Sequence, residues 1–119
     1  MRVVLGVLPA VLALATLAPA PAAANPVSGR QLLSLCTANM WGKGHPLEAA
    51  ECMGFVVGVA DTFNCVQSDH GFTWNSANGV SEPMRVAVVV QWLQSHPEGL
   101  DFEGHRVVGA ALQEAFPCR

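Results

Sequence analysis

The residues of this chain best suited to covalent chemistry are its four cysteines, Cys36, Cys52, Cys65 and Cys118. A cysteine thiolate can act as a nucleophile or as a metal ligand. An even number of cysteines downstream of an export signal instead indicates disulfides, because thiols oxidise outside the cytoplasm. Residues 1–24 have the features of such a signal. We therefore predict two disulfides, with no sulfur left for catalysis or metal binding.

The four cysteines can pair in three ways. Cys52 and Cys65 lie 13 residues apart, which along one continuous helix is roughly 20 Å. The Cα atoms of a disulfide lie within about 7 Å of each other, so a continuous second helix excludes this pairing. In an up-down bundle the end of one helix lies beside the start of the next, and we predict Cys36–Cys52 and Cys65–Cys118. The crossed pairing, Cys36–Cys65 with Cys52–Cys118, stays open if the first helix packs differently.

The other residue types that catalyse reactions form no recognised site. The sequence has no Gly-x-Ser-x-Gly motif, and its histidines lack the spacing of metal ligands; they are His45, His70, His96 and His105. Asp61 is the one carboxylate within an apolar helical segment, and we expect it to cap that helix or pair with a neighbouring one. We predict no catalytic residue, no metal, no cofactor and no enzymatic activity. An enzyme would have to depend on Asp61 or His105.

The N-terminal segment resembles a secretory signal peptide. Arg2 precedes an apolar run of about 15 residues, shorter than the roughly 20 that span a bilayer. Ala22 and Ala24 fit an A-x-A cleavage rule. We predict that residues 1–24 are cleaved, that residues 25–119 form one mature domain, and that this domain is periplasmic or secreted.

The charge of the predicted mature domain argues against two classes of partner. The whole chain has six basic and nine acidic residues, so loss of Arg2 leaves five minus nine, a net charge of −4. An acidic protein is not attracted to nucleic acids or to anionic membranes. The balance favours a protein partner, and we predict no nucleic acid and no membrane partner.

Helical patterns dominate the mature sequence. We predict an all-α fold, a small disulfide-stapled bundle of about four helices in an up-down arrangement. Ser28 and Asp101 are expected to cap the first and fourth helices, and Ser81 to precede the third. The expected helices run from Ser28 to near Asn39, from Pro46 to about Asn64, from Met84 to Ser95, and from Asp101 to just before Pro117.

Two helical patterns indicate close packing. Gly54 and Gly58 form a G-x-x-x-G motif, for which we expect tight packing in the core. The third helix is apolar nearly all round, whereas a surface helix keeps a polar face. It is therefore either central in the bundle or partly covered by a second copy, and we favour a homodimer. The residues assigned to this dimer or core face are Val86, Val89, Val90, Trp92 and Leu93.

Residues 66–80 are the candidate partner-binding element. They lack helical periodicity, and a connector of this length is often functional. We expect them to expose Phe72 and Trp74 as aromatic anchors among polar neighbours, as binding hot spots do. The assigned residues are Asp69, His70, Phe72, Trp74 and Asn75. The alternative is a loop whose aromatic side chains pack onto the bundle.

The chain resembles the Rap/Tai immunity proteins, which neutralise type VI secretion amidase effectors in the periplasm. The resemblance is carried by Cys52-Met53-Gly54-Phe55-Val56-Val57-Gly58-Val59-Ala60-Asp61, by Gln91-Trp92-Leu93 with His96-Pro97-Glu98, and by Ala115-Phe116-Pro117-Cys118. After Cys65 the chain differs from the family pattern. Family members usually have a short, proline-containing link into the third helix, whereas residues 66–80 are longer and lack proline.

The resemblance implies an α-helical, disulfide-bonded periplasmic protein, often dimeric, that blocks a peptidoglycan amidase by direct contact. The predicted function is therefore inhibition of a secreted cell-wall amidase by occlusion of its active site. The alternative is a small periplasmic helical chaperone or stress protein without catalytic activity.

Overall fold

The computed structural model describes residues 2–6, 15–20, 25–38 and 45–119. The predicted cleavage site at Ala22 and Ala24 and the connector at residues 41–44 lie outside the described residues.

The described residues form four α-helices and no β-strand, which confirms the predicted all-α fold. The helices are α1 (Gly29–Thr37), α2 (Pro46–Ala60), α3 (Glu82–Ser95) and α4 (Gly104–Ala115), with short 3₁₀ helices at Ser76–Asn78 and Pro97–Asp101. Each α-helix contacts the other three, so together they enclose one core. The buried core side chains are Leu32, Cys52, Val56, Ala60, Phe63, Trp74, Val89, Leu93, Val107, Val108, Ala111 and Leu112. None of the described helices combines the length and the apolar character needed to cross a bilayer.

The start of α1 is fixed by a capping box and by contact with the segment before α4. Ser28 Oγ accepts from the backbone N–H of Gln31 at 3.2 Å, and Gln31 Oε1 accepts from the N–H of Ser28 at 3.0 Å. The N–H of Gly29 donates to the carbonyl of Phe102 at 2.8 Å. A Cβ at position 29 would overlap the carbonyl of Gly99, so only glycine allows this approach.

α2 ends at Ala60, several residues before the predicted end near Asn64. Side chains just beyond the helix bond to nearby backbone and compete with helix continuation. Thr62 Oγ1 donates to the carbonyl of Val59 at 2.7 Å. Asn64 Oδ1 accepts from the N–H of Val66 at 2.7 Å. The chain therefore turns before Cys65.

The start of α3 agrees with the prediction, whereas the start of α4 does not. Ser81 precedes α3 as expected, and its hydroxyl accepts from the N–H of Met84 at 3.4 Å. The predicted cap of the fourth helix at Asp101 is wrong, because Asp101 belongs to a 3₁₀ helix and α4 begins only after Glu103. The carboxylate of Asp101 instead lies 3.4 Å from the guanidinium of Arg30.

Both predicted disulfides are present. Cys36 is bonded to Cys52 with Cα atoms 5.0 Å apart, which ties the end of α1 to α2. Cys65 is bonded to Cys118 with Cα atoms 5.6 Å apart, which ties the segment after α2 to the segment after α4. The crossed pairing, which the sequence left open, is therefore not formed.

The prediction that Gly54 and Gly58 pack tightly in the core is wrong. Both glycines are exposed, and a Cβ added at either would meet no atom within 4 Å. α2 faces the core through Cys52, Val56 and Ala60 instead. Gly54 and Gly58 each lie two residues from these core-facing positions. At about 100° per residue, that separation places them on the opposite side of the helix.

Candidate partner-binding surface

Residues 66–80 are attached to the bundle at several points. The N–H of Thr73 donates to Oε1 of Gln113 on α4 at 3.0 Å. The N–H of Asn75 donates to the carbonyl of Phe116 at 2.8 Å. Residues 76–78 form a 3₁₀ turn. The segment is therefore an ordered connector that runs along α4, and only part of its surface is available to a partner.

Trp74 is buried, so its expected role as an exposed anchor is wrong. Its side chain is 1% exposed. Its indole N–H donates to the carbonyls of Phe63, at 2.7 Å, and of Ala60, at 3.1 Å. The guanidinium of Arg85 lies 5.2 Å from the ring centroid, a cation–π distance. The indole satisfies carbonyls at the end of α2, which makes burial of its polar atom favourable.

Phe72 packs against α4 and is half-buried, which also differs from the exposed anchor that we expected. Its ring lies directly over Gly109, where an added Cβ would approach Phe72 Cδ2 to 2.6 Å. The absence of a side chain at position 109 therefore allows the ring to lie against the helix backbone. For Phe72 and Trp74, the alternative that loop aromatics pack onto the bundle is correct.

Asn75 also has a structural contact. It is half-buried, and its Oδ1 accepts from the N–H of Ala77 at 3.2 Å, which caps the short 3₁₀ turn. Among the five residues assigned to partner binding, Asp69 and His70 are left as the groups that face outward at the turn.

A tight turn carries these two residues. Asp69 and Phe72 exchange backbone hydrogen bonds of 2.9 and 3.1 Å. Between them His70 and Gly71 both have positive φ, 49° and 84°, as in the type I′ turn of a hairpin. Gly71 adopts this backbone readily, and histidine does so more often than most other residues.

The turn brings four polar side chains from two segments together, and we name this group the tip cluster. The rings of His70 and His105 have centroids 4.7 Å apart. Asp69 Oδ1 lies 3.6 Å from His70 Nε2, and Glu103 Oε2 lies 3.4 Å from His105 Nε2. Side-chain exposure is 56% for His70 and 52% for Glu103, so the cluster is open to solvent.

The apolar face of α3 divides into two parts. Val89, Val90 and Leu93 are buried within the described chain and belong to its core. Val86 and Trp92 are only half-buried. The indole N–H of Trp92 donates to Glu114 Oε2 of α4 at 3.0 Å. This contact had not been predicted, because 22 residues separate the two positions and no motif links them.

A groove of about 260 Å³ lies between α3 and α4 beside this pair. It is lined by Val88, Gln91, Trp92, Ser95, His96, Ala111, Glu114 and Ala115. The tip cluster and this groove are both surfaces with organised polar side chains.

Asp61 forms the expected contact with a neighbouring helix. Its carboxylate lies 3.4 Å from the guanidinium of Arg85 on α3. Since Arg85 also covers the Trp74 ring, this pair supports the packing of residues 66–80. Within the described ranges, no group of three or more His, Cys, Asp or Glu side chains could hold a metal ion.

A comparison with models of protein families shows which family this chain resembles. The model of the Rap1a immunity proteins matches residues 28–118, from the cap of α1 to the last disulfide cysteine. The chain belongs to this family. The match confirms the resemblance found in the sequence. No curated protein shows significant similarity to the chain.

Membership in the Rap1a family identifies the chain as an immunity protein whose partner is a protein effector. Its two disulfides agree with a periplasmic or extracellular location, where such bonds persist. The surfaces described above are therefore candidates for contact with another protein.

Proposed function

We propose that this Rap1a family member is a periplasmic, noncatalytic inhibitor that binds a peptidoglycan amidase effector and occludes its active site. The family match over residues 28–118 is the observation that carries the proposal. Residues 1–24 would direct export and be removed, which leaves residues 25–119 as the active domain.

We propose the tip cluster as the part of the 66–80 segment that contacts the effector. It is anchored by buried neighbours, so little conformational entropy is lost when a partner binds. The turn projects one imidazole and one carboxylate from a short rigid support, and Phe72 contributes the outer edge of its half-buried ring. Amidases that cut peptidoglycan have a cleft, and a narrow projection of this kind is suited to enter one.

Co-expression in the periplasm tests inhibition directly. Secreted amidases encoded beside the gene would be produced with and without this protein, and lysis would be followed by culture density. We expect one of them to lyse cells only when the immunity protein is absent. Unchanged lysis with every candidate amidase would contradict the proposal, and protection of an unrelated aggregating protein in a light-scattering assay would instead favour the chaperone alternative.

Substitutions in the tip cluster test where the effector binds. His70→Asn keeps a residue that accepts positive φ, and Asn-Gly is a preferred type I′ pair, so the turn should persist. Asp69→Asn removes the neighbouring charge with little change in shape. We expect the double variant to bind the amidase at least about tenfold more weakly, since hot-spot losses are about 2 kcal/mol or more and about 1.4 kcal/mol corresponds to a factor of ten.

The matched control is Glu51→Gln in α2, an exposed carboxylate that does not belong to the tip cluster. It should leave the dissociation constant unchanged. Equal affinity of the double variant and the control, measured by calorimetry, would show that the tip cluster is not the contact.

We further propose that the protein acts as a homodimer. Since Val89, Val90 and Leu93 are buried in one chain, the dimer contact must come from other residues than these three. Sedimentation equilibrium measures the mass directly, and a monomer at all concentrations would contradict this part of the proposal.

A further inference from the structure

We infer that the groove between α3 and α4 binds an arginine side chain presented by a protein partner. This inference concerns a different surface from the tip cluster. It rests on the proposed function only in that a protein partner supplies the arginine.

One wall of the groove is preorganised around Trp92. His96 stacks on the indole with ring centroids 4.2 Å apart and planes 10° apart. His96 Nδ1 lies 2.8 Å from the carbonyl of Trp92, which holds the imidazole in place. On another side the indole lies against Gly99, where any added Cβ would overlap the ring. A wall that is fixed before binding loses little entropy when a ligand arrives.

The size and floor of the groove suit one long side chain. Its volume of about 260 Å³ lies below the roughly 300–1,000 Å³ of sites that enclose small molecules. Val88, Ala111 and Ala115 supply apolar surface between the two helices. Methylene groups of arginine or lysine pack favourably on such surface while the charged end stays in contact with water.

Glu114 favours a positively charged occupant of the groove. Its Oε2 accepts the indole N–H of Trp92, which orients the carboxylate at the side of the groove. A carboxylate has about four lone-pair sites, so it can accept further hydrogen bonds. Among the described residues, no lysine or arginine forms an ion pair with Glu114. An anion would be repelled here, and an apolar occupant would desolvate the carboxylate without compensation.

The hydrogen-bonding geometry favours arginine over lysine. A planar guanidinium can donate two parallel hydrogen bonds to a carboxylate, whereas an ammonium group acts as a point charge. Gln91 and Ser95 line the α3 side of the groove, and the amide oxygen of Gln91 can accept a further guanidinium N–H. An arginine thus satisfies the carboxylate, the amide and the apolar floor together.

Nuclear magnetic resonance with a minimal probe tests the inference without any effector. The full chain is expressed with ¹⁵N, and N-acetyl-arginine-N-methylamide is added while the three indole N–H signals are followed. We expect the Trp92 signal to shift with saturation on the order of millimolar, as befits a ligand of this size. The indole of Trp74, which is buried, should not move.

Four comparisons decide the outcome. The neutral citrulline analogue should bind about two- to fivefold more weakly, as should arginine with Glu114→Gln, because each removes one charge of an exposed pair. Ala115→Leu should abolish the shift by filling the groove, and Glu51→Gln should not alter it. Equal binding of citrulline, or persistence of the shift in Ala115→Leu, overturns the inference.

The same spectra distinguish other occupants. A Trp92 signal that moves with protein concentration alone would place a second copy of this chain in the groove, and the inference would be wrong. Failure of amidase inhibition with intact arginine binding would contradict the proposed function and leave the groove assignment standing.

Discussion

The indole of Trp74 lies beside the C-terminal end of α2, where irregular backbone follows the helix. Its N–H reaches the carbonyls of Ala60 and Phe63, and its ring packs with Phe63 and Phe116. Arg85 covers the ring and also contacts Asp61. One side chain therefore connects α2, α3 and the end of α4 to the 66–80 segment.

We predict that Trp74→Phe lowers the free energy of unfolding by about 1–3 kcal/mol, because it removes the N–H donor and leaves buried carbonyls with fewer partners. Urea denaturation followed by circular dichroism measures this loss. Trp92→Phe is the control, since the Trp92 indole bonds to an exposed carboxylate and should cost less. A larger loss for the control would show that Trp74 does not hold the segment.

The sequence could not reveal that Trp74 is buried and that Phe72 is half-buried. A loop rich in polar residues with two aromatics is compatible with exposed anchors and with side chains that pack inward. The difference lies in their contacts, Gly109 and the end of α2, which are distant in sequence from the loop. Asp69 and His70 do lie at the surface, as expected of polar residues in a connecting segment.

At the scale of elements, two glycines in the middle of helices have opposite surroundings. Gly58 of α2 faces open space, whereas Gly109 of α4 lies under the ring of Phe72. Alanine stabilises an exposed helix interior relative to glycine by about 1 kcal/mol. Overpacking of a well-packed site costs about 1–3 kcal/mol.

We therefore predict opposite signs for one chemical change. Gly58→Ala should raise the free energy of unfolding by about 1 kcal/mol. Gly109→Ala should lower it by up to about 2 kcal/mol, because displacement of Phe72 costs about 1–3 kcal/mol and the helix preference of alanine offsets about 1 kcal/mol of that cost. Thermal denaturation of both variants provides the comparison.

A double-mutant cycle identifies the cause. The loss in Gly109→Ala should shrink when Phe72 is also replaced by alanine, since the two groups are in contact. A destabilised Gly58→Ala variant would contradict the open surroundings of that glycine and would indicate that a second copy covers α2.

Helix positions were predicted better than helix ends. The starts of α2 at Pro46 and of α3 after Ser81 follow from proline and serine preferences, which are local. The end of α2 and the start of α4 were misplaced because side chains such as Thr62 and Asp101 can bond to more than one partner. Tertiary contacts determine which partner each of these side chains bonds to, and the sequence pattern does not reveal those contacts.

At the scale of the whole molecule, the disulfides close loops of different length. The cysteines of the Cys36–Cys52 bond are 16 residues apart, and those of the Cys65–Cys118 bond are 53 residues apart. In the chain-entropy model these loops correspond to about 3 and about 4 kcal/mol of stabilisation at 25 °C. A domain of this size has a small core, so either bond is a large share of its stability.

We predict that replacement of Cys65 and Cys118 by alanine costs about 1 kcal/mol more than replacement of Cys36 and Cys52. Guanidinium denaturation of the two double variants measures the difference. A larger loss for the Cys36–Cys52 variant would show that packing of the buried Cys52 sulfur outweighs loop closure.

The pairing was predictable in part, because helix length excluded a Cys52–Cys65 bond and an up-down arrangement favoured the observed pairing over the crossed one. The groove between α3 and α4 was not, since its two organising residues, Trp92 and Glu114, meet only after the helices pack. A site of this kind becomes visible once the bundle is known.

The two disulfides also follow one another along the chain, since the first is complete at Cys52 before the second begins at Cys65. A polypeptide that enters an oxidising compartment with its N-terminus first exposes its thiols in this order. An oxidase that joins each newly arrived thiol to the preceding unpaired one then makes the native bonds directly, without reshuffling by an isomerase.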